Sequence, residues 1–274
     1  MSRISERFES LRRKGSGAFI PYVCAGDPDC DFTLRQIERL AKASADIFEI
    51  GLPFSDPIAD GPVIQGAMNR SLSSGFRTKD VFGLISSSRM RRIDQPIVVM
   101  TYYNPVLRFG VASFCKRLAE AGGDGMLVVD LPPEESKELD GAARANGLDV
   151  VRLVAPSTAD SRLDFILSRA SGFVYAVSTA GTTGARVQLP ASAERLLGRV
   201  TARSRIPVVL GFGVSSPSHV RAALSMGASG VVEGSRLISI YSDSLNAKDK
   251  ALDLIERHAK EMKTATLLPE RHNG

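Results

Sequence analysis

Short apolar runs, rich in β-branched residues, recur along the whole chain, and most are followed by an amphipathic stretch of helical period. The runs are almost continuously hydrophobic, which is typical of parallel strands covered by helices on both faces. They predict eight strands, at residues 18–23, 47–51, 97–101, 125–129, 150–154, 173–178, 208–211 and 230–232. Predicted helices between them include residues 32–43, 63–73, 111–121, 134–145 and 216–226.

Eight strand–helix units in 274 residues favour an α/β fold with a single (β/α)8 TIM barrel as its one domain. Further helices are predicted at the N-terminus, residues 3–13, and at the C-terminus, residues 248–263. Residues 264–274 should form a frayed tail. A doubly wound open sheet is the alternative that the pattern leaves open.

Composition narrows the protein class. With 43% hydrophobic and 24% charged residues the chain is typical of a soluble globular protein, and it has no apolar stretch of membrane-spanning length. Residues 1–15 lack the apolar centre of a secretory signal. Cys24, Cys30 and Cys115 are widely spaced, which argues against disulfides or a zinc site. We therefore expect a cytoplasmic protein.

The net charge is +5, but the basic residues are scattered. The two densest runs, residues 12–14 and 89–92, have no interleaved aromatic residues for stacking on bases. Such runs are usually solvated helix faces, so nucleic-acid binding is not expected. A small acidic substrate fits the charge equally well.

Glycines and polar residues gather after the last three predicted strands, where a barrel carries its active face. These segments are residues 179–184, 211–215 and 233–235. Glycines let backbone N–H groups approach an anion, and a helix beginning near Ser235 would add its positive dipole end. Any single glycine is an ordinary turn residue, but the three segments together predict a phosphate site. Arg236 could add charge.

Three side chains are candidates for chemistry. Glu49 interrupts an apolar strand, so burial should raise its pKa, although it could instead face outward in a salt bridge. Asp60 lies in an Asp-Gly-Pro sequence that fits a helix start as well as catalysis. Tyr175 is either a core or a site residue. The sequence has no histidine cluster, and none of its lysines lies at a predicted strand end, which leaves carboxylate acid–base chemistry on a phosphorylated substrate.

Residues 48–62 closely resemble the signature of tryptophan synthase alpha chains. Further similar segments appear in the family's order over nearly the whole chain: residues 20–22, 25–28, 100–105, 130–136, 181–184 and 211–216. The resemblance implies a barrel that cleaves indole-3-glycerol phosphate into indole and glyceraldehyde 3-phosphate, within L-tryptophan biosynthesis. It implies no cofactor or metal in this chain.

The resemblance also implies residue roles. Glu49 matches the family's proton-transferring acid and base, and Asp60 matches the carboxylate near the indole nitrogen. Thr183 matches a lid residue that closes onto Asp60, and Tyr175 matches a residue beside the glycerol. Residues matching the phosphate site are Gly184, Phe212, Gly213, Gly234 and Ser235. Residues expected to line the indole slot are Tyr22, Met100, Leu127, Leu153 and Val232.

Family members work with a pyridoxal-phosphate beta chain that receives indole through an interior tunnel, so an α2β2 tetramer is implied. Residues matching the docking face are Pro53, Asp56, Asn104, Pro132 and Glu135. The chain departs from the family pattern at Thr179, Thr182, Glu233 and Arg236. A stand-alone lyase and a non-catalytic docking subunit are the alternatives. Another barrel enzyme acting on sugar phosphates would fit the glycines but not residues 53–60.

Overall fold

The computed structural model describes residues 1–177, 189–211 and 213–267, and in them parallel strands form a ring. The strands of this part of the chain are β1 (Ala18–Cys24), β2 (Phe48–Gly51), β3 (Ile97–Thr101), β4 (Gly125–Val128), β5 (Asp149–Val150), β6 (Arg152–Val154), β7 (Val174–Val177), β8 (Val208–Gly211) and β9 (Gly230–Glu233). Each strand pairs with its neighbour in sequence except across the break between β5 and β6, and β1 also pairs with β9. Pairing of the first strand with the last excludes the open sheet and confirms the predicted barrel.

The fifth predicted strand is divided in the structure. Val151 separates β5, which pairs with β4, from β6, which pairs with β7. The Val151 N–H still donates to the Met126 carbonyl at 2.9 Å, so the chain continues along the ring through this residue. The nine assigned strands therefore occupy the eight positions of a TIM barrel.

Helices surround the ring. Within the described residues they are α1 (Arg3–Arg13), α2 (Cys30–Lys42), α3 (Pro62–Ser73), α4 (Asp80–Met90), α5 (Tyr103–Phe109), α6 (Val111–Glu120), α7 (Lys137–Ala145), α8 (Asp160–Arg169), α9 (Ala191–Thr201), α10 (Pro217–Ser225), α11 (Ser235–Ser242) and α12 (Lys248–Thr264). A short 3₁₀ turn, Leu245–Ala247, precedes α12. The helices α4, α5, α8 and α9 were not specified by the sequence prediction.

The N-terminal helix closes one end of the barrel. Ile4, Phe8 and Leu11 of α1 are buried, and the Phe8 ring lies 5.8 Å from that of Phe173, just before β7. Ser2 donates to the Asp149 carboxylate at the start of β5. Because α1 covers the N-terminal ends of the strands, access to the interior is left to the C-terminal ends.

The predicted tail begins later than expected. Thr266 is fully buried, and its carbonyl accepts a hydrogen bond of 2.9 Å from the Gly17 N–H. Leu267 forms an antiparallel bridge with Ser16. Residues 264–267 are therefore held against the start of β1 rather than frayed, and residues 268–274 lie outside the described part of the chain. Among the described helices, none has the length and apolar character needed to cross a membrane.

Candidate active site

A cavity of about 190 Å³ lies at the C-terminal ends of the strands. Its wall includes predicted site residues from six strands or the segments that follow them: Tyr22, Glu49, Asp60, Met100, Tyr175, Gly213, Val232, Gly234 and Ser235. These residues are far apart in sequence but meet in one cavity. Val63 and Ile64 of α3, together with Ser239 of α11, complete much of the wall and were not predicted.

Glu49 faces the cavity from β2. Its side chain is only 1% exposed, and its Oε1 has no hydrogen-bond partner among the described residues. Burial, followed by the charge of Asp60, raises the pKa of Glu49 to about 8. Glu49 is therefore mainly protonated at neutral pH, as a general acid must be before it donates a proton.

Asp60 faces the same cavity from the loop before α3. Its Oδ2 accepts a hydrogen bond of 2.7 Å from the Tyr102 hydroxyl, and that hydroxyl accepts one of 3.0 Å from the Ala59 N–H. Burial raises the pKa of Asp60, whereas the bond from Tyr102 opposes the rise. Asp60 also precedes Gly61, the N-cap of α3, so it lies both at a helix start and in the cavity wall. Tyr102 was not predicted as a site residue, although it directly follows β3.

Two strand-end glycines make room for the two cavity tyrosines. A Cβ added to Gly51 would lie 2.0 Å from the Tyr22 hydroxyl oxygen, and one added to Gly211 would lie 2.2 Å from the Tyr175 ring. Only glycine permits such approaches. Tyr175 is thus seated across the end of β8 rather than in the outer core.

Another part of the cavity wall is formed by the segments after β8 and β9. Gly213 has a φ of +80° and lines the wall beside Val214 and Ser215. Gly234 is the N-cap of α11 and offers no side-chain cap, and the positive dipole end of this helix favours an anion at this wall. Three predicted site residues, Thr183, Gly184 and Phe212, lie outside the described residues, as do Thr179 and Thr182.

Two leucines predicted for the apolar wall are not part of it. Leu127 pairs with Met100 in the register of β3 and β4 and is buried, but it does not line the cavity. Leu153 belongs to β6 and lines a separate depression of about 260 Å³. No group of three metal-binding side chains occurs in the described part of the chain.

The predicted docking residues lie in the segments that follow β2, β3 and β4, on the same side of the barrel. Asp56, Asn104, Pro132 and Glu135 are exposed, whereas Pro53 is buried. Pro53 and Asn104 line one surface depression. The Tyr103 N–H donates to Asp130 at 2.7 Å, which links the loop after β3 to the loop after β4. Asp130 thus accepts a hydrogen bond from the first residue of α5.

Comparison with known proteins agrees with this geometry. The family described as tryptophan synthase alpha chain matches residues 8–267. The chain belongs to that family. A tryptophan synthase alpha chain from Carboxydothermus hydrogenoformans is 44% identical over 269 residues, covering 97% of this chain and 100% of the relative. The chain therefore has the alpha-subunit function of tryptophan synthase, the lyase half-reaction that cleaves indole-3-glycerol phosphate.

Solved structures of the family share the fold. A tryptophan synthase structure from Mycobacterium tuberculosis superposes with a TM-score of 0.90 at 36% identity, covering 98% of this chain and 99% of that one. A tryptophan synthase complex from Pyrococcus furiosus superposes with a TM-score of 0.82 at 40% identity, covering 90% and 98%. These similarities extend over the barrel as a whole.

Proposed function

We propose that Glu49 carries the proton transfers by which this chain splits indole-3-glycerol phosphate. The observation that supports this role is a buried, mainly protonated carboxyl in the same cavity as a second carboxylate and a helix N-terminus. The chemistry needs one proton at indole C3 and the removal of one from the glycerol 3′-hydroxyl. A single acid of near-neutral pKa can do both.

The proposed steps balance without a co-reactant. Glu49 donates its proton to C3 of the indole ring, which leaves the ring cationic. Its carboxylate then takes the proton of the 3′-hydroxyl, the bond between C3 and the glycerol carbon breaks, and that bond's electrons return to the ring. The hydroxyl becomes the aldehyde of glyceraldehyde 3-phosphate, indole is released, and Glu49 is again protonated.

Asp60 is proposed to stabilise the cationic ring at its nitrogen. The hydrogen bond from Tyr102 favours the ionised form of Asp60 and fixes one of its oxygens, and Oδ1 has no partner among the described residues. A preorganised charge in a site shielded from water stabilises a developing opposite charge efficiently. Thr183 remains proposed as the residue that closes onto Asp60.

The substrate's two ends are proposed to bind at different walls. Tyr22, Met100 and Val232 offer apolar contact to the indole ring, with Tyr175 beside the glycerol. Gly213, Gly234 and Ser235 are proposed to bind the phosphate, together with Gly184 and Phe212, and the start of α11 favours an anion. Arg236 lines the same cavity and adds a positive charge.

A beta chain is the proposed partner. The solved relative from Pyrococcus furiosus is a tryptophan synthase complex, and the docking residues Asp56, Asn104, Pro132 and Glu135 are exposed here. Ile58, in the same loop as Asp56, is 83% exposed and is proposed to lie under a docked beta chain. We propose an α2β2 tetramer in which indole passes between subunits, with pyridoxal phosphate in the beta chain and no cofactor in this one.

We also propose that the chain acts in the cytoplasm. Its three cysteines are all free in the structure, and Cys24 and Cys115 are buried, which suits a reducing compartment.

One assay tests the reaction and its alternatives. Purified protein is given indole-3-glycerol phosphate with and without a beta chain, and indole release is followed. Slow release that the beta chain accelerates supports the proposal. Full turnover without a partner would favour the stand-alone lyase. A third outcome is that the wild type cleaves no indole-3-glycerol phosphate, while the Glu49→Gln variant still stimulates the beta chain normally. That outcome would indicate a docking subunit without catalysis.

A further inference from the structure

Glu233 is a buried carboxylate that the proposed reaction does not use. It is the last residue of β9 and is fully buried. The preceding residue, Val232, lines the cavity, so Glu233 points to the opposite face of the strand, because side chains alternate along a strand. There its Oε1 lies 2.8 Å from Nε2 of His258 on α12.

The pair lies directly behind the proposed phosphate site. The next two residues after Glu233 are Gly234 and Ser235, which line the cavity and begin α11. Glu233 is also in register with Pro21 of β1, beside the cavity residue Tyr22. A movement of the Glu233 backbone would therefore be passed directly to Gly234 and to the N–H groups that begin α11.

Two further basic side chains lie near Glu233. Arg236 of α11 and His219 of α10 also act on its charge, and the His219 ring accepts from the Ser215 N–H at 3.3 Å. Burial raises the pKa of Glu233, whereas the hydrogen bond with His258 lowers it. A buried carboxylate without its partner would be destabilising, so β9 and α12 are held together at this point.

We propose that Glu233 and His258 are positioning residues for the substrate's phosphate group, because they fix the backbone of Gly234 and Ser235 against α12. Neither residue touches the substrate. The inference rests on the proposed phosphate site. It predicts that breaking the pair weakens phosphate binding without slowing the chemistry at Glu49, which belongs to a different strand, β2.

The test uses Glu233→Gln, His258→Gln and the double variant, measured as purified full chains with the beta chain. We expect KM for indole-3-glycerol phosphate to rise on the order of fivefold, because weakening one hydrogen bond from a backbone N–H to the phosphate lowers affinity by a factor of about that size. The value of kcat should change less than about twofold. Affinity for glycerol 3-phosphate, measured by calorimetry, should fall by the same factor. Because the two residues act as a pair, the double variant should bind glycerol 3-phosphate no more weakly than the more affected single variant does.

Lys263→Met is the matched control. Lys263 also joins α12 to a buried carboxylate, with its Nζ 2.7 Å from Asp46, but near the start of β2 and far from the phosphate site. This variant should lose stability and keep its KM. The inference is overturned if KM and glycerol 3-phosphate affinity are unchanged in both pair variants, or if Lys263→Met changes them equally.

The control experiments separate this inference from the proposed function. If Glu233→Gln does not fold, His258→Gln decides the question alone, because its side chain is nearer the surface, 13% exposed. A wild type that binds glycerol 3-phosphate but cleaves nothing would refute the proposed reaction, and the calorimetric comparison would still decide whether the pair positions the phosphate site.

Discussion

The Tyr102 hydroxyl donates a hydrogen bond of 2.7 Å to Oδ2 of Asp60 and, through its own oxygen, accepts one from the Ala59 N–H. The tyrosine follows β3 and the aspartate follows β2, so the pairing of two neighbouring strands brings them together. The Tyr102 side chain thus holds both the backbone of the loop after β2, at Ala59, and the carboxylate of Asp60. Tyr102 therefore helps to fix where the Asp60 carboxylate lies in the cavity.

Tyr102→Phe should lower kcat about tenfold, because the lost bond to a charged group is worth about 1.5 kcal/mol or more. The pKa of Asp60 would rise further without the hydroxyl, leaving less of the ionised form to stabilise the cationic ring. Steady-state cleavage of indole-3-glycerol phosphate measures the change. Tyr103→Phe, at the adjacent half-buried tyrosine, is the control and should retain wild-type kcat.

Glu49→Gln should abolish measurable cleavage and leave substrate affinity nearly unchanged. General acid–base groups contribute about 10²- to 10⁴-fold, and here one residue is proposed to serve both proton transfers. Binding is proposed to depend instead on Gly213, Gly234 and Ser235, which line another part of the cavity wall. Single-turnover cleavage measures the loss of chemistry, and a direct titration with a substrate analogue measures the affinity. Near-wild-type turnover by the Gln variant would refute the role of Glu49.

The same residue should make stability depend on pH. The pKa of Glu49 is about 8 in the folded chain, against 4.5 for an unperturbed glutamate, so the unfolded chain releases this proton first as pH rises. Stability is therefore lost between about pH 4.5 and pH 8, by roughly 1.4 kcal/mol per pH unit at most. Glu49→Gln has no carboxyl to titrate at this position. Its free energy of unfolding, relative to that of the wild type, should therefore increase as pH rises over that range. Urea unfolding of both proteins at pH 5, 6 and 7 measures the difference.

The barrel could be predicted because its signals are local. Apolar runs marked all eight strand positions, and the N-terminal helix was placed at the residues where it is found, Arg3–Arg13. The division of the fifth strand at Val151 carries no such signal, because it depends on pairing with two different neighbours. The tail was misjudged for a similar reason. Thr266 is held by a contact with Gly17, which is remote in sequence.

The site was predictable where a residue type is unusual for its position, as with Glu49 in an apolar strand. Tyr102 was missed because aromatic residues are common at strand ends, and only the fold shows that its hydroxyl reaches Asp60. Leu127 was assigned to the cavity wall by resemblance; it is buried in register with the wall residue Met100 but is not among the residues that line the cavity. Glu233 departs from the family pattern, and a carboxylate that faced inward there would repel a phosphate. The alternation along β9 turns it toward His258 instead.

Gly211→Ala should reduce both stability and activity. The new Cβ would lie 2.2 Å from the Tyr175 ring, so the ring must leave its place in the cavity. Overpacking of this kind costs about 1–3 kcal/mol, and the displaced ring should also raise KM. Gly83→Ala is the matched control, because Gly83 lies within α4 with nothing near its Cβ position, and it should gain about 0.5–1 kcal/mol. Thermal unfolding and steady-state kinetics of both variants check the prediction.

Gly213→Asp should raise KM steeply and change kcat much less, because it places a carboxylate on the cavity wall where the phosphate is proposed to bind. Like charges within a few ångströms repel strongly in a site with little water, and a loss of about tenfold or more in apparent affinity is expected. Backbone strain is a competing cause, since Gly213 has a φ of +80°. Gly227→Asp controls for it: Gly227 has a φ of +94°, follows α10 and is not a cavity residue. Both variants should lose similar stability, but only Gly213→Asp should raise KM, and an equal rise in both would attribute the effect to strain rather than to charge.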